Sequence, residues 1–209
     1  GVLAVVRGWG GAGKSAVGVA AGSLAGARGL RVLLVDCDLQ FGDCALLTGA
    51  QRPLGIDQAL VDPSLLEKLE PEDGAPTLVA APPRLEQAEV LGAQLPGLIE
   101  EAALLFDLLV VNTGASWAEY HAQLLEASTA TLFLVDQRLS SVRACQRALD
   151  LCVRCGIATG PFLYAVNRCV RNGLFTSIDV SCALSGGSVM ELKDGGREVE
   201  ELLGAGLPA

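Results

Sequence analysis

Seven short apolar runs, separated by segments long enough to be helices, restrict what this 209-residue chain can fold into. The runs are VLAVV (2–6), RVLLVD (31–36), TLVAA (77–81), DLLVV (107–111), ATLFLVD (130–136), FLYAV (162–166) and SVMEL (188–192). Their cores are continuously apolar rather than alternating, as in strands covered on both faces. Segments 15–28, 85–104, 117–127, 139–155, 176–184 and 195–203 read as helices between them. Strand–helix alternation predicts an α/β fold, with a mostly parallel central sheet flanked by helices on both faces. No internal repeat, low-complexity tract or linker divides the chain, so residues 1–209 read as a single domain.

Composition narrows the function classes. Hydrophobic residues make up 51% and charged residues 19%, which suits a compact core. The net charge of −9, without a Lys/Arg cluster, argues against nucleic-acid binding, which relies on neutralising phosphates. No apolar run approaches the roughly 18 residues that would span a bilayer. Seven cysteines, an odd number without framework spacing, suit a reducing cytoplasmic compartment. The chain opens on Gly1 and enters a strand at once, which reads as a domain excised from a longer protein.

The segment GWGGAGKS (8–15) supplies the chemistry. It fits G-x-x-x-x-G-K-[ST] and lies between a predicted strand and a predicted helix, the context that a phosphate-binding loop requires. Gly10, Gly11 and Gly13 let backbone N–H groups turn inward, with Ala12 between them, and the helix beginning at Ser15 and Ala16 offers its positive end. Lys14 is placed to neutralise the β- and γ-phosphates of a nucleotide, and the Ser15 hydroxyl to ligate Mg2+. A second run, RVLLVDCDLQFGD (31–43), sets Asp36 and Asp38 at the end of a strand, where open α/β sheets gather their ligands.

These two runs resemble the deviant Walker A ATPases of the ParA/MinD type. The sequence LQFGD after the aspartates is similar to the CpaE/TadZ branch, which localises Tad/Flp pili and related secretion machinery. LVAAPPRLEQAEV (78–90), FDLLVV (106–111), FLVDQRLSSVRACQRAL (133–149), AVNRCVRNG (165–173) and VMELKDGGREVEELLGAGLP (189–208) extend the resemblance over essentially the whole chain. It implies a P-loop fold binding ATP with Mg2+, a homodimer formed around nucleotide, and pilus or secretion assembly proteins as partners. It further implies recruitment to a cell pole and a receiver-like domain ahead of residue 1. Asp38 becomes the candidate for orienting the attacking water, with Asp36 nearer the metal. Asn167 and Arg168 become the candidates for the base side, and Asp194 closes the same pocket. Val170 stands where a guanine-reading N-K-x-D motif would carry its aspartate, so adenine is the implied base.

Two departures from that family bear on catalysis. Trp9 replaces the signature lysine that reaches a partner's phosphates, and an indole offers one N–H and no charge. Asn112, in LLVVNTGASW (108–117), replaces the acid expected at the end of its strand. Lys14 and Ser15 still support binding, while hydrolysis is expected to be weak or absent. Trp9 is either an apolar anchor for a partner or folded onto its own domain, and Trp117 shares its face on the first reading.

Three functions follow: a nucleotide-dependent dimeric localisation switch, a slow true ATPase, and a scaffold that needs no nucleotide. Other signals carry less. In CVRC (152–155), Val142, Cys145, Leu149 and Cys152 recur at helical spacing, which assigns Cys145 and Cys152 to a core stripe rather than a metal site. His121 is the only histidine. The acidic C-terminus differs from the basic amphipathic helices that grip membranes, so no membrane insertion is expected.

Overall fold

The computed structural model describes residues 1–8, 11, 13–70, 76–117 and 119–205. In chain order it contains β1 (Val2–Arg7), α1 (Lys14–Gly26), β2 (Val32–Cys37), α2 (Cys44–Thr48), β3 (Leu54–Gly55) and α3 (Ile56–Val61). A 3-10 turn at Pro63–Lys68 leads to β4 (Thr77–Ala80), and another at Leu85–Gln87 leads to α4 (Ala88–Gly92) and α5 (Leu95–Leu105). Then follow β5 (Leu108–Thr113), α6 (Glu119–Glu126), β6 (Ala130–Val135), α7 (Leu139–Arg154), β7 (Phe162–Cys169), α8 (Ser177–Ala183), β8 (Val189–Lys193) and α9 (Gly196–Gly204).

All seven predicted strands are present, and the eight strands form one sheet in the order β3-β4-β2-β5-β1-β6-β7-β8. Every pairing is parallel, so the expected mostly parallel sheet is wholly so. The predicted helix over 85–104 is instead a 3-10 turn and two helices. Pro96 sits in the first turn of α5, where its missing N–H costs nothing, and so marks a fresh helix start. The short elements α2, β3 and α3 lie between the predicted strands at 31–36 and 77–81, where no element was expected.

Successive side chains of a strand point to opposite faces, and the core divides accordingly. Leu33, Val35, Leu109 and Val111 pack on one face against Ile56, Leu98 and Ile99. Ala4, Val6, Phe133 and Val135 continue inward contacts against Val142, Cys145 and Cys152 of α7. Val5, Leu34, Val110 and Leu134 pack with Val19 of α1. Helices therefore cover both faces, and the runs are apolar throughout because both faces are buried. Among the described residues no helix is long and apolar enough to cross a membrane.

Candidate functional site

The central strands β1, β2 and β5 all end at one edge of the sheet, and their register decides what meets there. Asp36 of β2 is the cross-strand partner of Asn112, and Val5 of β1 faces Asn112 from the other side. The loop after β1 returns to this edge and enters α1. Gly13 caps that helix with φ 75°, in the left-handed region, and Gly11 has φ 80°. A side chain at Gly13 would also collide with Asn167, since an added Cβ would lie 2.5 Å from Nδ2. The first turn of α1 carries no acidic residue, which leaves its N–H groups and the positive end of its dipole for an external anion. Trp9, Gly10 and Ala12 lie outside the described residues, and with them the expectations for Trp9.

Lys14, Asn112 and Asp36 form a buried polar chain, at 1%, 0% and 1% exposure respectively. Lys14 Nζ donates to Asn112 Oδ1 at 2.5 Å, and Asn112 Nδ2 donates to Asp36 Oδ1 at 2.8 Å. The same Nδ2 reaches Ser15 Oγ at 3.4 Å. Asp36 Oδ2 accepts the Cys44 N–H at 3.0 Å, which hangs α2 from this carboxylate. An added Cβ at Gly42 would lie 2.6 Å from Asp36 Oδ2, so the chain can pass the carboxylate only as glycine. Asp38 stands beyond, its Oδ2 3.9 Å from Lys14 Nζ.

Burial dominates the electrostatics. It lowers the Lys14 pKa from its ordinary value, against the opposing pull of Asp38 and Asp36. It raises that of Asp36, against the hydrogen bonds from Cys44 and Asn112. Both shifts have one physical origin: desolvation disfavours the charged form of each group. The buried Cys44 thiol is pushed far up for the same reason, with the Asp36 charge adding to the effect.

Ser15 and Asp36, the two residues expected near a metal, therefore both meet the Nδ2 end of the Asn112 amide. Ser15 contributes a hydroxyl, whereas both carboxylate oxygens of Asp36 already accept hydrogen bonds from the protein. Lys14, the Ser15 hydroxyl and the start of α1 suit phosphate groups, whereas Asp36, with both oxygens engaged, is a poor ligand for a divalent cation. Asp36, Asp43 and Cys44 have ligand atoms within 4.8 Å of one another, with Asp43 exposed.

The base-side candidates meet in a separate cavity of about 400 Å3, which runs along α1 from the phosphate loop. Gly13, Ala16, Asn167, Arg168 and Asp194 line it, together with Val199. Arg168 takes φ 54° within a register shift between β7 and β8, whose pairing resumes at Cys169 and Lys193. Asp194 is exposed, and its Oδ1 accepts the Gly196 N–H at 3.0 Å at the start of α9. Lys14, Ser15, Asp36 and Asp38 thus meet in or beside the polar chain, while Gly13, Ala16, Asn167, Arg168 and Asp194 line this cavity.

Trp117 packs inward. Its ring stacks on His121 with centroids 4.4 Å apart and on Phe133 at 6.1 Å, and Nε1 donates to the Arg7 carbonyl at 3.4 Å. It is half-buried in its own core rather than an anchor held out for a partner. Cys145 and Cys152 lie in the core as their spacing predicted, and Cys155 is exposed beyond the end of α7. Gly42 and Cys44, which pack against and bond to Asp36, were not expected from the sequence. A hint lay in the GDC (42–44) that follows the aspartates, but only the fold brings Cys44 back to Asp36.

No protein-family model matches the sequence, and no curated protein is detectably similar to it. Solved structures are similar in fold. A ParA family ATPase from Chlorobium tepidum superposes with a TM-score of 0.87 at 23% identity, over 98% of this chain and 89% of that one. The septum site-determining protein MinD of Pyrococcus horikoshii, solved with Mg-ADP, gives 0.79 at 17% identity, over 99% and 86%. A point variant of Cyanothece McdA in complex with ATP gives 0.75 at 16% identity, over 99% and 87%. An all-parallel eight-stranded sheet with helices on both faces and a glycine-rich loop after its central strand gives this chain the fold of the ParA/MinD P-loop ATPases.

Proposed function

We propose that this chain is an ATP-binding localisation factor that works as a nucleotide-dependent dimeric switch and hydrolyses ATP weakly or not at all. The observation that carries the reading is the pairing of an intact phosphate loop with a neutral amide at the end of β5. Lys14, Ser15 and the free start of α1 supply positive charge and donors for phosphate. Asn112 supplies no negative charge where phosphoryl transfer ordinarily needs a carboxylate near the metal. Two protomers would associate around the bound nucleotide. Lys14 would then exchange Asn112 for phosphate oxygen, Asp38 would stand ready beside it, and Asn167, Arg168 and Asp194 would border the base.

Similar solved structures support the general class: they include a ParA family ATPase, a plasmid partition protein and the septum site-determining protein MinD, in one case in complex with MinC. The CpaE/TadZ resemblance of LQFGD (39–43) narrows the proposal to a Tad-type pilus or a related secretion system, with the protein cytoplasmic and recruited to a cell pole. Single-turnover phosphate release, read beside the mass of oligomers with and without ATP and magnesium, tests the reading. ATP-dependent dimers with little phosphate release support it. Release abolished by Asp38→Ala would make the protein a slow ATPase, and dimers formed without bound nucleotide would make it a scaffold.

A further inference from the structure

Chemistry fixes the orientation of the Asn112 amide. Lys14 Nζ can only donate, and it sits 2.5 Å from one end of the amide. The Asp36 carboxylate accepts at 2.8 Å from the other end. Exchanging oxygen and nitrogen would set N–H groups against an ammonium and an oxygen against a carboxylate, in a site shut off from water. The end that reaches Ser15 Oγ at 3.4 Å is therefore a donor, N–H rather than oxygen.

We propose that Asn112 makes ATP binding at this site nearly independent of divalent cations, with Lys14 rather than magnesium meeting most of the phosphate charge. The inference rests on the nucleotide-binding reading above. Magnesium takes hard oxygen ligands or ordered waters held by carboxylates, in near-ideal octahedral geometry. Beside Ser15 this site offers amide hydrogens, which repel a cation and orient its waters wrongly. Asp36, which shares Asn112 Nδ2 with Ser15, has both oxygens committed to Asn112, Cys44 and Asp38. Lys14 gains in the same measure. An acid at position 112 would pair with the ammonium and hold it back, whereas the amide is a neutral partner that gives it up to phosphate. The remaining counter-charge, Asp38, stands off at 3.9 Å.

Equilibrium binding of ATP to the full chain, in saturating magnesium and in excess chelator, tests this without any turnover. The wild type is expected to bind with affinities within about threefold of each other, and Asn112→Asp to be tightened by magnesium about tenfold or more. A tenfold or larger tightening of the wild type by magnesium would overturn the inference and leave the nucleotide reading standing. A folded Asn112→Asp chain with no more magnesium dependence than wild type would also overturn it. Where that variant does not fold, judged by its thermal unfolding, the wild-type pair decides alone. Failure to bind ATP under either condition would overturn both this inference and the nucleotide reading.

Discussion

The two ends of the candidate nucleotide site are built in contrasting ways. At the phosphate end, Lys14, Asn112 and Asp36 are sealed from water and tied together across adjacent strands of the sheet centre. At the base end, Asn167, Arg168 and Asp194 lie on outer strands and loops, and Asp194 is exposed. A buried, hydrogen-bonded polar chain tolerates little change, because any member left alone keeps its whole desolvation cost. An open rim can be trimmed with small effect. The contrast implies strong discrimination for phosphate and loose discrimination for the base.

Replacing Asn112 with leucine attacks the stronger end directly. Lys14 and Asp36 would each lose a partner inside the sheet, at a cost of about 4 kcal/mol in unfolding free energy measured with denaturant. A loss under about 1 kcal/mol would show that the polar chain is no more sensitive to change than the rim.

The same end is sensitive to acid through His121, which is sealed behind Trp117. Its Nδ1 donates to the Ser116 carbonyl at 3.1 Å, and burial pushes its pKa down from 6.5 to about 4. Between those values the unfolded chain takes up a proton that the folded chain refuses. Stability is therefore full above pH 6.5 and falls as the pH drops toward 4, by about 3 kcal/mol. Unfolding curves across that range should show the loss, and His121→Phe should flatten it.

On binding, Lys14→Ala is expected to weaken ATP by about 100-fold in equilibrium titrations, since a desolvated cation paired with phosphate contributes strongly. Asp194→Ala should change the same affinity by only about twofold, because its oxygen serves mainly the turn into α9 and is screened by solvent. If Asp194→Ala costs as much as Lys14→Ala, the contrast between the ends is wrong.

The sequence exposed these regions unequally for physical reasons. Strands buried on both faces announce themselves as apolar runs, and the phosphate loop is a local motif, so the sheet and Lys14 were readable without a structure. The identity of Asn112 was readable too, but its role was not. Which end of the amide meets Lys14 depends on Asp36 and Asn112 being register partners across β2 and β5, residues 76 positions apart. The inward turn of Trp117 likewise depends on His121 and Phe133 arriving from other elements. The break near Pro96 was legible in principle, but helical periodicity on either side concealed it.

The rims of the sheet bear on how two copies could meet. Its outermost strand on one side, β3, pairs over two residues only, and on the other side β8 carries Glu191 and Lys193 among its five. A two-residue border offers almost no unpaired backbone for another chain to zip onto, and alternating opposite charges discourage it at the far border. Growth of the sheet from one molecule into the next is thus blocked at one margin and disfavoured at the other. Association is steered toward surfaces made of side chains and loops, such as the edge where the phosphate loop opens.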